Sequence, residues 1–356
     1  MGLRKVGIEE FLELSLIHPV LDVRSPSEYL QAHIPNALSF PLFNDEERSV
    51  VGTLYKQSSR QAAIRKGLEY FGFRMNRYLD QAESIIHTGQ TFPKNIFLVH
   101  CWRGGMRSAG VAWLLDLYGF DVVTLQGGYK AFRKWVLAQF EREWHFRCLG
   151  GYTGSAKTEI LQKLYASGVC KVIDLEKLAS HKGSAFGGIG QGQQPSQEMF
   201  ENLLAHELYT IEKSALRLTD PIWIEDESQR IGKVNIPQSI WEQLKRQELV
   251  FLDIPFENRL AFLVKNYGQL DRSLLLAAIS RLQKKMGGLE TKTSISHLLE
   301  GDVAMSFEIL LKYYDKLYLR ALEKKRDMLH AFTSIRYEAV DPDIISTDLL
   351  KNYNHG

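Results

Sequence analysis

Cysteine is scarce in this chain: three in 356 residues, Cys101, Cys148 and Cys170, with no C-x-x-C pair. So small and odd a set excludes a disulfide framework and a cysteine-based structural zinc site, and it fits a reducing compartment. Long apolar runs are missing as well. No stretch approaches the roughly 18 residues of a membrane-spanning helix, and the opening MGLRKV has no signal-peptide core, so a cytoplasmic protein with no membrane partner is expected. Net charge is almost absent, 44 Lys and Arg against 42 Asp and Glu, or +2. A polyanionic partner would therefore have to be met by a local basic patch. Internal repeats and low-complexity tracts are lacking too.

What is present is an ordinary globular composition, 45% hydrophobic and 24% charged, at a length suited to two domains. Strand-like and helix-like segments alternate from the start, which predicts α/β architecture with largely parallel sheets. Strands are expected at Val20–Arg24, Leu38–Phe40, Ile96–His100 and Val122–Leu125, with helices between Gly52 and Gln90, over Ser108–Leu117 and over Tyr129–Arg142. A boundary near residue 143 gives domains 1–142 and 143–356. In the second, strands are expected at Phe146–Leu149, Lys171–Asp174, Ile222–Glu225 and Leu249–Asp253, a helix over Glu159–Ala166, a mobile loop over His181–Gln194, and a mainly helical region from Phe256 to Tyr318.

Two loops carry the chemistry. The first, Cys101-Trp102-Arg103-Gly104-Gly105-Met106-Arg107-Ser108, follows the strand-like Ile96–His100 and leads into a helix. A thiol there faces backbone N–H groups and a helix N-terminus, which with Arg103 and Arg107 should pull its pKa from about 8.5 to roughly 3.5–7.5. Such a loop holds an anion beside a nucleophilic sulfur. A lone cysteine is more often a small core residue, but two arginines and two glycines within the same stretch suit an anion site better than a core.

The second loop, Gly151-Tyr152-Thr153-Gly154-Ser155-Ala156-Lys157-Thr158, fits G-x-x-x-x-G-K-[ST] except that Ala156 replaces the last glycine. Its place between strand and helix supports phosphate binding, with backbone amides and Ser155 around the anion and Lys157 neutralising it. Ala156 introduces a methyl group where a positive φ or close approach is usual. Strand ends at Asp174, Glu225 and Asp253 set acids at the sheet's carboxyl edge, a position suited to metal or substrate chemistry. Asp174–Gly187 and Trp223–Gly232 read equally well as sites or as solvated loops. Lys284-Lys285 and Lys324-Lys325-Arg326 could contact RNA phosphates, but such runs on helices are more often solvated faces, and neither is assigned as a site.

His100-Cys101, five residues, Arg107 and Ser108 also match the signature of cysteine-dependent phosphatases. Asp22-Val23-Arg24, Glu28-Tyr29, His33-Ile34-Pro35-Asn36-Ala37 and Leu125-Gln126-Gly127-Gly128-Tyr129 instead resemble rhodanese-type sulfurtransferases across most of residues 15–130. Joined to the second loop and to Asp174-Leu175-Glu176, His181–Gly187 and Trp223–Ser228, the ordered set resembles the tRNA 2-selenouridine synthase family. The resemblance implies an N-terminal rhodanese-like domain and a C-terminal P-loop NTPase-like domain with a parallel sheet and a helical C-terminal region. It also implies a transferase acting on tRNA with wobble 2-thiouridine, which is S-geranylated from geranyl diphosphate and then given selenium from selenophosphate. Gly151, Gly154, Ser155, Lys157 and Thr158 would bind the diphosphate. Cys101, Arg103 and Arg107 would handle selenium, as a perselenide or as positioned selenophosphate. No tightly bound cofactor and no metal ligand set is assigned, magnesium is left open, and a selenophosphate-supplying enzyme is a further expected partner. Two other readings remain open: a cysteine-dependent phosphatase fused to a kinase-like or NTPase domain, and a redox-sensitive nucleotide-binding regulator.

Overall fold

Ile96–His100 and Glu248–Asp253 are apolar along nearly their whole length, the pattern of strands covered on both faces in a parallel sheet. A computed structural model, describing residues 3–87, 95–184, 186–217 and 219–353, bears this out. Contacts divide the chain into Met1–Gln139 and Phe140–Gly356. In the first unit the order is β1 (Arg4–Val6), α1 (Ile8–Ser15), β2 (Val20–Asp22), α2 (Pro26–Gln31), β3 (Leu38–Ser39), α3 (Asp45–Gln57), α4 (Arg60–Gly72), α5 (Met75–His87), β4 (Ile96–His100), α6 (Met106–Tyr118), β5 (Asp121–Leu125) and α7 (Gly128–Phe140). The helices expected up to Gln90 are described as far as His87, with 88–90 outside the described residues.

Its sheet is parallel, in the order β1-β5-β4-β2-β3. The chain leaves β2 toward β3 on one side and β4 toward β5 on the other. The carboxyl end of β4 therefore lies at a switch of direction, where ligands bind in open α/β sheets. Leu21, Val23, Phe97 and Val99 from the strands pack with Val111 and Leu115 of α6 and Phe71 and Tyr78 of α4 and α5. Ser25 starts α2, its N–H donating to the Glu28 carboxylate at 3.0 Å.

The second unit runs β6 (Phe146–Gly151), α8 (Lys157–Ala166), β7 (Lys171–Ile173), α9 (Leu175–Ala179), α10 (Gln197–Lys213), β8 (Ile222–Glu225), β9 (Arg230–Ile231), β10 (Val234–Asn235), α11 (Gln238–Leu244), β11 (Glu248–Asp253), α12 (Phe256–Tyr267), α13 (Arg272–Arg281), α14 (Gln283–Met286), α15 (Gly288–Glu300), α16 (Val303–Arg326), β12 (Phe332–Arg336) and α17 (Pro342–Tyr353). Its main sheet is again parallel, β12-β11-β6-β8-β7, so β6 is central. Leu149, Trp223, Val250 and Leu252 pack against Ile160, Leu161 and Leu164 of α8 and Ile345 and Leu349 of α17. Leu275, Ile279, Leu298, Phe307 and Leu310 make a separate helical core. No described helix is long and apolar enough to cross a membrane.

Helices α6 and α8 begin two residues earlier than the sequence suggests, at Met106 and Lys157. The last members of both functional loops thus already belong to helices.

Candidate functional site

In the first unit the chain leaves β4 at Cys101, which is 3% exposed. The turn that follows is built on glycines from two segments. Gly104 and Gly128 have φ of +62° and +58° and sit against each other. A Cβ on Gly128 would lie 2.3 Å from the Cys101 carbonyl oxygen and 2.4 Å from the Gly104 nitrogen. Tyr129 N–H donates to the Cys101 carbonyl at 2.8 Å and Lys130 N–H to that of Trp102 at 3.0 Å. The doublet Gly127-Gly128 therefore shapes the cysteine loop from a distance.

Gly105 N–H donates to the Cys101 sulfur at 3.3 Å, and Ser108 Oγ lies 3.3 Å from it. Ser108 is also 3.0 Å from the Gly105 carbonyl oxygen, so its single hydroxyl proton can turn to the sulfur when that is ionised. Burial pushes the thiol pKa up, but the Ser108 hydroxyl and the N–H groups of Gly105, Ser108 and Arg103 outweigh it, and the net shift is downward. Burial instead drives Cys148 up to about 12 and raises Cys170. The backbone N–H groups that the sequence set around the thiol are among the donors that lower its pKa, whereas Arg103 is exposed and acts through its backbone and not its guanidinium. Arg107 Nη1 meets Glu28 Oε2 at 2.6 Å.

Beneath the loop, Arg24 and Asp22 form a buried pair at 2.6 Å, at 1% and 0% side-chain exposure. Arg24 also donates to the Ala32 carbonyl at 2.7 Å, and its guanidinium carbon lies 3.8 Å from the centre of the Tyr129 ring. Asp22-Val23-Arg24 is thus a brace for the loop's supports. Breaking such a buried pair costs about 3–5 kcal/mol. His100 Nε2 is 3.7 Å from Asp22, and burial lowers its pKa, so the imidazole is neutral near pH 7.

In the second unit β6 runs directly into Tyr152–Ala156. Ala156 takes the left-handed conformation, φ +55° and ψ 32°, that the sequence flagged as awkward for it. Such a non-glycine residue costs about 1–2 kcal/mol, and here the surrounding contacts hold it. Ser155 Oγ donates to the Tyr152 carbonyl at 2.6 Å, closing the loop. Lys157 Nζ donates to the Gly151 carbonyl at 2.9 Å, and Thr158 Oγ1 donates to Glu176 at 2.8 Å. Gly154, at φ +85°, lies where a Cβ would be 3.0 Å from the Arg259 carbonyl oxygen.

Sequence reasoning missed what grips this loop. Buried Arg259 of α12 donates to the carbonyls of Ile254 and Thr153, both at 3.0 Å, and pairs with Asp315 of α16 at 2.7 Å. Its guanidinium carbon also stands 4.8 Å from the Tyr152 ring centre. Tyr318, one turn beyond Asp315, accepts from Gly151 N–H at 3.3 Å and donates to Asp226 at 2.7 Å. Lys325, read from the sequence as solvated, is buried and pairs with Asp226 at 2.5 Å. Apart from the bond to Ile254, these contacts join residues 56 to 167 positions apart, and no local pattern marks them. The Arg326 side chain lies outside the described residues.

Of the acids at the sheet edge, Asp174 caps α9 by accepting from Lys177 N–H at 2.7 Å, and Asp253 pairs with Arg336 at 3.1 Å. Glu176 and Glu227 converge near Gly183: a Cβ there would lie 3.1 Å and 2.6 Å from their oxygens. Burial, then the Glu227 carboxylate, pushes the Glu176 pKa up to about 7. Glu225 is raised well above the carboxylate range by burial and by Asp174 and Glu176. Among the described residues no cluster of three or more His, Cys, Asp or Glu is arranged to hold a metal ion. Ala185, within the expected His181–Gly187 motif, lies outside the described residues.

Comparison with known proteins accounts for both units. Residues 144–341 match the tRNA 2-selenouridine synthase AAA domain, and residues 8–134 match the rhodanese-like domain. A tRNA 2-selenouridine synthase of Nitrosomonas europaea is 33% identical, over 90% of this chain and 94% of its own. Its counterpart in Bdellovibrio bacteriovorus is 32% identical, over 90% and 93%, and that in Shewanella halifaxensis 31%, over 92% and 95%. The chain belongs to the tRNA 2-selenouridine synthase family.

Proposed function

We propose that this cytoplasmic enzyme converts wobble 2-thiouridine of tRNA to 2-selenouridine in two steps, one at each loop. In the first, Gly151, Gly154, Ser155, Lys157 and Thr158 bind the diphosphate of geranyl diphosphate. The thiouridine sulfur forms a bond to the geranyl C1 as the C1–O bond breaks. Diphosphate leaves with its charge met by Lys157 and the loop amides, and the base loses its ring N–H proton.

In the second step selenophosphate binds at the Cys101 loop, its oxygens meeting the loop N–H groups, Arg103 and Arg107. Selenium in selenophosphate is already at the selenide level. Attack of the Cys101 thiolate on phosphorus therefore releases hydrogen selenide without an oxidant, and water then frees the thiol as phosphate departs. Hydrogen selenide adds at C2 of the base, and the S-geranyl group leaves as the thiol. Both donors are co-substrates, and an enzyme that makes selenophosphate is the natural supplier.

One observation carries the reading: two glycine-rich loops, each at the carboxyl end of an inner strand of its own parallel sheet, in a chain that aligns with the family over 90% of its length. The test is nucleoside mass spectrometry of 2-thiouridine-containing tRNA after geranyl diphosphate and then selenophosphate. Wild type should yield the S-geranyl and then the selenated nucleoside. Lys157→Ala should lose the first product and Cys101→Ser only the second. Unchanged nucleosides with wild-type protein would refute the reading.

A further inference from the structure

We propose that the outer face of α16 and the groove beside it hold an unpaired stretch of the tRNA next to the diphosphate loop. This inference rests on the tRNA reading above and adds the surface that meets the RNA. Lys312, Lys316, Arg320 and Lys324 recur every fourth residue along α16 and are all exposed, so they form one stripe. Lys312 is shared with Glu308 at 2.5 Å. Lys316, Arg320 and Lys324 have no ion pair among the described residues. In a chain of net charge +2, such a stripe is the local basic patch that a polyanion needs.

Beside the stripe lies an open groove of about 520 Å³, lined by Phe256 and Leu319 as well as by Lys312, Lys316 and Arg320. Of its two carboxylates, Asp315 is neutralised by Arg259, and Glu323 is left. An aromatic and an aliphatic side chain within a cationic rim fit a nucleotide strand, base against the ring and phosphates on the cations. A prenyl chain would use the apolar side chains alone.

Position supplies the second argument. The Arg259 guanidinium carbon lies 5.6 Å from the Phe256 ring centre and 4.8 Å from that of Tyr152, so one side chain separates groove from loop. Arg259 also holds the Thr153 carbonyl. On the same helix that carries the stripe, Asp315 and Tyr318 hold the loop from within. RNA on this face would lie against the element that shapes the loop where the sulfur is alkylated.

The test is fluorescence anisotropy of labelled 2-thiouridine-containing tRNA with the full chain, across a salt series. Lys316→Ala/Arg320→Ala should weaken binding at least tenfold near 0.1 M salt and lower the log–log salt slope by about 1.4, two single-strand phosphate contacts. Lys316→Arg/Arg320→Lys should keep the wild-type slope. Lys284→Ala/Lys285→Ala removes equal charge from exposed positions on α14 and should leave slope and affinity within twofold. Equal losses in both alanine pairs, no loss in the α16 pair, or displacement of tRNA by free geranyl diphosphate would overturn the assignment. Wild-type protein without salt-dependent tRNA binding would instead sink the tRNA reading itself.

Discussion

Replacing Gly128 by alanine should disable a thiol that the new methyl group does not touch. At φ +58° an alanine costs about 1–2 kcal/mol in backbone strain. Its Cβ would stand 2.3 Å from the Cys101 oxygen and 2.4 Å from the Gly104 nitrogen, both backbone atoms. Relief requires the cysteine loop to back away by about 1 Å, with overpacking that adds about 1–3 kcal/mol. The expected loss is about 3 kcal/mol, or roughly 10 °C in the melting temperature of a unit this size. The same retreat breaks the 3.3 Å contact from Gly105 N–H to sulfur. Losing a hydrogen bond to a charged group, about 1.5–3 kcal/mol, raises the Cys101 pKa. Iodoacetamide alkylation followed by peptide mass spectrometry across pH reads that shift directly. Cys148 and Cys170 serve as slow internal references because burial raises both. Gly105→Ala is the control, since its Cβ would meet nothing within 4 Å. A Gly128→Ala protein with wild-type melting temperature and alkylation profile would refute the account of the loop.

Two further outcomes follow from the second unit. Glu176, with a pKa raised to about 7 in the folded protein against 4.5 as its ordinary value, keeps its proton longer folded than unfolded. Stability is therefore lost as pH rises from about 4.5 through 7. Glu176→Gln should match wild type at pH 4 and exceed it at pH 8 by on the order of 2–3 kcal/mol in urea unfolding. A variant weaker than wild type at pH 8 would show that the ionised carboxylate is needed. Ala156→Gly relieves about 1–2 kcal/mol of left-handed strain and loses about 0.4–1 kcal/mol to unfolded-chain entropy. It should be slightly more stable, with diphosphate affinity by calorimetry within about threefold, because the alanine already holds the glycine conformation. A tenfold change would mean that the methyl group shapes the site.

Much of this was legible in order along the chain. The apolar runs before Cys101 and Gly151 became inner strands because parallel strands buried on both faces read as continuous hydrophobics. Glycines at fixed offsets marked both loops. The short β1 and the β9–β10 pair escaped notice because segments of two or three residues carry no period, while five-residue β12 and helices α10 and α17 escaped it because mixed faces blur a longer one. The site's supports were less legible still. Ser108 stood inside the Cys101 motif, yet its place 3.3 Å from the sulfur depends on the helix starting at Met106. Glu28 reads as a capping residue, and nothing nearby announces its ion pair with Arg107, 79 positions on. Arg259, Asp315 and Tyr318 act only through tertiary contact. Local sequence shows where an anion can sit, and folding decides what holds the seat.

Strand β1, at residues 4–6, pairs with β5, where Arg4 faces Val123 and Val6 faces Leu125. The ribosome makes these partners more than a hundred residues apart. At about 5–20 residues per second, the first strand waits many seconds for its neighbour. The glycine doublet that shapes the cysteine loop emerges directly after that neighbour. During synthesis, then, the edge of the sheet and the cysteine loop are completed together, and a nascent chain halted before Gly128 carries Cys101 without the backbone that forms its nest.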